Sequence, residues 1–335
     1  MEANDTRSRI SLPPPTHVHG LLPFVATAPS KIAPERMAEL EALVHKHGIE
    51  IYVNDKGETD FKIGAMYCQI FTSMRVYHHL WSTALWFAAL YIERHKAADE
   101  GKSEVNFDTP DMERVWANFL LSCKCLKDDS NYPPPPSAAE VTPREDFIIL
   151  ADDLFLKMVA FCILHEIAHV ENGDSKTDED GSPLNKMEPA QLELRADKWS
   201  YDWILSQWNQ RSDEPKVFVN RTLGIIFALA MMDEFRHHVD NDFTSSHPDP
   251  CDRLLQFFND YNEQICSNEW GSTCLTAVFV GLQAIAVMND FVLPTTGFSD
   301  AITFLNLAKV EIPRLAAEVK AKKAAYTGAK SQSKV

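Results

Sequence analysis

The pentapeptide His165-Glu166-Ile167-Ala168-His169 closes the apolar run Phe161-Cys162-Ile163-Leu164, and this combination constrains the surrounding chain more than any other feature. A run of this kind, without strand alternation or turn residues, reads as a buried helix. Four residues advance a helix by about 400°, so His165 and His169 fall one turn apart on one face, where two imidazoles can bind one zinc ion. Glu166, beside the first histidine, is placed to take a proton from a metal-activated water. The expected fold class is mainly α with a small β element, an α+β arrangement whose central helix carries HExxH.

A zinc site needs a third ligand, and two histidines that merely pack in a core would have no organised acid nearby. Glu193-Leu194-Arg195-Ala196-Asp197 supplies one, with Glu193 placed 24 residues after His169. A helix beginning near Pro189 puts Glu193 and Asp197 on one face. Glu193 is then the third ligand, and Asp197 accepts an N–H from a ligand imidazole, expected to be His165. Two histidines and one glutamate leave a coordination position open, whereas a structural zinc is more commonly closed by four protein ligands. No third histidine follows HExxH closely, and the acid-rich stretch after Gly173 lacks the ligand spacing of a calcium loop.

Bulk properties exclude several classes. The 48 acidic residues outnumber the 32 basic ones, and a net charge of -16 disfavours nucleic acid as a partner. The only basic concentration is Lys320, Lys322, Lys323, Lys330 and Lys334 toward the C-terminus, which reads as a solvated stretch. The seven cysteines show neither zinc-ribbon spacing nor a disulfide framework, which fits a reducing cytoplasm. The N-terminus has no apolar region behind its charges, so no cleaved secretory signal is expected. Leu80 to Ile92, Leu223 to Met232 and Cys274 to Met288 each fall short of the roughly 18 to 20 apolar residues of a spanning helix.

Patterning divides the chain into a Pro-rich extended arm (1–30), an N-terminal helical part with a short β-hairpin (31–128), a Pro-rich connector (129–142), a metallopeptidase core (143–265), C-terminal helices (266–327) and a basic tail (328–335). The hairpin is expected from Ile49 to Val53 and Phe61 to Met66, which flank Asn54-Asp55-Lys56-Gly57. Helical periodicity covers about 72–97, 110–126, 143–171, 189–208, 216–238, 249–263, 273–290 and 299–325. Gly48 is placed to end a helix begun near Pro34. Thr142, Pro143 and Glu145 read as a capping box before the HExxH helix.

HExxH followed by a helix bearing ExxAD resembles the gluzincin pattern of thermolysin-like enzymes and of the membrane heat-shock and CAAX-processing peptidases. Ser246-His247-Pro248-Asp249-Pro250-Cys251-Asp252-Arg253-Leu254 resembles the "HP…R" segment that follows ExxAD in the latter group. Together, HEIAHVENGD, ELRADKWSYDW and SHPDPCDRL look most similar to the Lit-type phage-exclusion peptidases of bacteria, over about residues 143–256. The resemblance implies a zincin-like core and a cytoplasmic protease, with a host translation elongation factor as substrate.

His247 precedes a proline, which favours a loop near the site. It is either a donor to the oxyanion or a cap or surface histidine. Arg253 either pairs with an acid or lies on the surface. His78 and His79 diverge by about 100° on a helix and are expected to be structural, as are His237 and His238 at a helix end. Trp199 and Trp203 should anchor the helix of Glu193. The expected function is zinc-dependent endopeptidase activity on a protein substrate, with Glu166 as general base. The alternative is a zinc-containing regulatory or binding protein with little hydrolysis.

Overall fold

The computed structural model describes residues 17–53, 62–64, 69–102, 106, 108–127, 144–174, 187–206, 215–231, 248–266, 271–288 and 301–312, together with 314, 315 and 318. Among these, helix dominates. In chain order the elements are α1 (His17–Val25), α2 (Ala28–Ile32), a 3-10 turn (Pro34–Arg36), α3 (Met37–His47), β1 (Glu50–Val53), β2 (Lys62–Gly64), β3 (Gln69–Thr72), α4 (Met74–Asp99), α5 (Pro110–Lys127), α6 (Glu145–Asn172), α7 (Pro189–Leu205), α8 (Pro215–Met231), α9 (Pro250–Cys266) and α10 (Gly271–Met288). Residues 301–312 form a further helix, α11.

Helix α6 is the centre of the molecule. Every residue from Met158 to Val170 is buried, so the helix is enclosed on all sides instead of presenting one apolar stripe. α4, α8, α7 and α2 pack against it. The approach of α8 is close because Gly224 lies against Lys157: a Cβ at Gly224 would stand 2.5 Å from that of Lys157. No helix among the described residues is long and apolar enough to cross a membrane.

Three expectations need correction. The short sheet has the order β1-β3-β2, with β1 parallel and β2 antiparallel to β3. β1 and β2 therefore do not pair with each other; the hairpin is β2–β3. Gln69-Ile70-Phe71-Thr72 takes the central place because Ile70 is fully buried while β1 is largely exposed. Residues 54–61 lie outside the described residues.

The N-terminal arm is helical from His17. Val18, Leu21 and Val25 of α1 and Ala28, Pro29 and Ile32 of α2 are buried, because the two short helices cover α6. Residues 1–16 are outside the described part. The HExxH helix begins at Glu145, with Arg144 as its N-cap and without a side-chain cap bond, so Glu145 stands at the first helical position and not the third. Arg144 instead ion-pairs with Glu93 and Asp146 and lies over the Phe147 ring, which fixes the entry of the chain. Thr142, Pro143 and the proline-rich connector lie outside the described residues.

Gly48 does close α3, with a left-handed φ of 62° and its N–H bonded to Val44 and His45 carbonyls. Gly173 closes α6 in the same conformation, at φ 71°.

Candidate metal centre

His165 and His169 lie one turn apart near the end of α6, their rings edge to face with centroids 4.7 Å apart. α7 crosses the same end of α6 and brings Glu193 and Asp197 to it. His165 Nδ1 donates to Asp197 Oδ1 at 2.9 Å, and His169 Nδ1 donates to Asp174 Oδ2 at 3.0 Å. A carboxylate only accepts, so each imidazole carries its proton on Nδ1 and turns the Nε2 lone pair inward. His165 Nε2 then lies 3.1 Å from His169 Nε2 and 3.2 Å from Glu193 Oε2, and His169 Nε2 lies 3.5 Å from Glu193 Oε1.

Two imidazole lone pairs and a carboxylate thus face one another, and their ligand atoms all lie within 4.8 Å. Acceptors at such distances repel unless a positive charge is shared among them. A proton relieves one pair, whereas a divalent cation relieves all three contacts at once. Nitrogen and oxygen donors in a two-histidine, one-carboxylate set suit zinc. The residues present therefore fit the metal that their spacing implies.

The carboxylates around the two rings favour a positive charge between them, a charge that a proton on Nε2 supplies where no cation is bound. Burial opposes charge on His169, yet Asp174 and Glu193 outweigh it and lift its pKa to about 10. Burial likewise opposes charge on His165, and Asp197 and Glu193 raise its pKa against that opposition. Burial would raise the Asp197 pKa, but Arg253 and His165 hold it low. Glu166 is 6% exposed, and its charge is felt at His169.

Residues 70–272, more than half of the chain, match the family model Peptidase U49. The chain belongs to the Peptidase U49 family. No curated protein and no solved structure matches it. The part shared with Peptidase U49 runs from β3 into the start of α10 and includes all the residues converging on the centre. α1, α2, α3 and α11 lie outside it.

Within this Peptidase U49 chain, His165, Glu166, His169, Glu193 and Asp197 are gathered at one place. His247 lies outside the described residues, but Pro248 is buried and Asp249 caps α9 through the N–H of Cys251 at 2.7 Å. Arg253, three residues into α9, is 1% exposed and grips both oxygens of Asp197, Nε to Oδ2 at 2.6 Å and Nη2 to Oδ1. Its expected alternatives are thus decided for the acid pair. His79 bonds to Ser122 away from the centre, and Trp199 stacks on Trp203 at 4.8 Å along α7.

Asp174 and Arg195 are absent from the expected set. Asp174 reads as the start of an acid-rich loop, and Arg195 as a helix arginine. The available signal is Asn172-Gly173 at the helix end, because a left-handed cap turns the next residue back over the last turn.

Proposed function

We propose that this Peptidase U49 member is a zinc-dependent endopeptidase of the gluzincin type, with a zincin-like core and with His165, His169 and Glu193 as the metal ligands. The reading is carried by one observation: three acceptor groups converge while both imidazole Nδ1 atoms are held outward by carboxylates. Zinc held by these groups supplies Lewis acidity, polarising a peptide carbonyl and easing removal of a proton from water.

The chain's own residues supply the rest. Glu166 accepts the proton of the attacking water and returns it to the leaving nitrogen. Its burial keeps that proton from exchanging freely with bulk solvent. Asp197 fixes the tautomer and orientation of His165, and Arg253 keeps Asp197 ionised in an otherwise dry position. His247 is proposed as a donor to the oxyanion of the tetrahedral intermediate. Likeness to the Lit-type phage-exclusion peptidases supports a cytoplasmic role in phage defence with a translation elongation factor as substrate.

The test combines metal analysis with a search for new protein termini in bacterial cells. Wild type and Glu166→Gln should each hold about one zinc per chain, whereas Glu193→Ala should lose most of it. New termini should arise with wild type only, since the amide fills the same space but cannot accept the proton. His247→Ala should lower kcat by about 10²-fold, a partial loss. Equal metal in all three proteins would refute the ligand assignment, and wild-type cleavage by Glu166→Gln would refute the mechanism.

A further inference from the structure

His165 is positioned by a carboxylate that is itself held by an arginine, and the same construction recurs on the other histidine with different residues. Resting on the metal-centre reading above, we propose that Asp174 and Arg195 are positioning residues that hold His169 in its inward orientation and tie it to the helix carrying Glu193.

The local backbone explains how Asp174 reaches His169. Gly173 N–H bonds to the Val170 carbonyl at 3.0 Å and Asp174 N–H to the His169 carbonyl at 2.9 Å, the paired bonds of a Schellman turn. With Gly173 left-handed, the chain folds back on the last turn of α6. Asp174 then lies beside the residue five positions earlier, with its side chain only 5% exposed. One of its oxygens accepts the His169 Nδ1–H at 3.0 Å; the other accepts from Arg195 Nη2.

Arg195 comes from α7, two residues after Glu193. The series Arg195, Asp174, His169 therefore crosses from α7 to α6 beside the direct approach of Glu193 to both histidines. An imidazole without an Nδ1 partner can rotate by half a turn or change tautomer, and either change presents the wrong nitrogen or a proton to the metal. Asp174 removes both options, and Arg195 removes the freedom of Asp174 to leave.

The two units differ in depth. Arg253 and Asp197 have side chains 0% and 1% exposed, whereas the side chain of Arg195 is 35% exposed. The Asp174 unit is the softer of the two, because water and salt reach its arginine. Loss of Arg195 should accordingly cost less than loss of Asp174.

Zinc affinity measured by competition with a chromophoric chelator, with the absorption spectrum of the cobalt-substituted protein as a second readout, tests this. Wild type should bind one metal. Asp174→Ala should bind it about 10- to 100-fold more weakly, with an altered cobalt spectrum. Asp174→Asn keeps an acceptor for Nδ1 but loses the charge that faces Arg195, and should fall between the two. Arg195→Ala should weaken binding less than Asp174→Ala and should add nothing to it in the double variant.

Should Asp174→Ala fail to fold, Asp174→Asn and Arg195→Ala carry the test alone. Wild-type affinity and spectrum in both would overturn the proposal while leaving the metal centre intact. An undiminished Arg195→Ala effect in the Asp174 variant would show that Arg195 does not act through Asp174. A wild-type protein that binds no zinc would remove the metal-centre reading and this proposal with it.

Discussion

Burial alone does not decide how a histidine of this protein ionises; its neighbours do. His165 and His78 are both nearly inaccessible, at 1% and 3% exposure. Carboxylates oppose the desolvation of His165 and raise its pKa, whereas His78 is pushed down to about 3 by burial and then by the repulsion of His19, whose ring centroid is 5.9 Å away. A histidine depressed in the native state binds a proton only after unfolding, between about 3 and its ordinary value of about 6.5. The unfolded chain then holds more protons, so stability rises with pH and falls on acidification. From about pH 7.5 to about pH 5 the loss from this one group is about 2 kcal/mol. Replacing His78 with Gln should flatten the acid limb by that amount. Urea unfolding of both proteins at the two pH values checks it, since metal release on acidification is common to both. Parallel limbs would show that His78 does not carry the sensitivity. At this scale the sequence is most legible where spacing encodes geometry: the two histidines stand four positions apart, as do Glu193 and Asp197. Asp174 escapes that logic because its place depends on a cap conformation, and Arg195 because its partner comes from another helix.

Among the elements, long helices are the most legible and short strands the least. α4, α5, α6, α9 and α10 begin and end within a few residues of their periodic patterns, because each buries enough apolar surface to leave a repeat in the sequence. β3 leaves almost none. Its four residues run straight into α4, and its place between β1 and β2 follows from burial of Ile70 against the helices. Helix spacing is also hidden in sequence, since Gly224 in the middle of α8 reads only as a poor helix former. In the structure it allows α8 to approach α6 at Lys157, about two turns before His165. Gly224→Ala should therefore destabilise despite the better helix propensity of alanine, because the added Cβ meets the Cβ of Lys157 and the backbone carbon 3.4 Å away. Overpacking of this kind costs about 1–3 kcal/mol. Chemical denaturation should show a lower midpoint with an unchanged slope. A more stable variant would mean that propensity outweighs contact and that the two helices separate freely.

At the scale of the whole molecule, the segment before α3 belongs to the core around the candidate centre although it lies outside the part shared with Peptidase U49. His17 bonds to Asp152 of α6 at 2.8 Å, and Trp81 of α4 donates to the same oxygen at 2.8 Å, so one carboxylate joins α1, α4 and α6. Glu35 forms a paired contact with Arg221 of α8 at 2.5 and 3.0 Å, and Arg36 lies 3.5 Å over the Trp203 ring of α7. Composition conceals this docking. Prolines cluster before His17, and the apolar residues of α1 are too few for a repeat, so the stretch reads as an arm until its burial is seen. Removing residues 1–25 deletes Val18, Leu21 and Val25 from the interior and leaves Asp152 without His17. Each buried aliphatic side chain contributes about 1.5–3 kcal/mol as an upper estimate. A domain of 150–250 residues loses about 2–4 °C per kcal/mol, and a somewhat larger one loses less. The truncated protein should melt more than about 5 °C below the full chain in a thermal scan of the zinc-loaded form. Melting within about 1 °C of full length would mean that α1 rests on α6 without stabilising it, and that the core shared with Peptidase U49 stands without this cover.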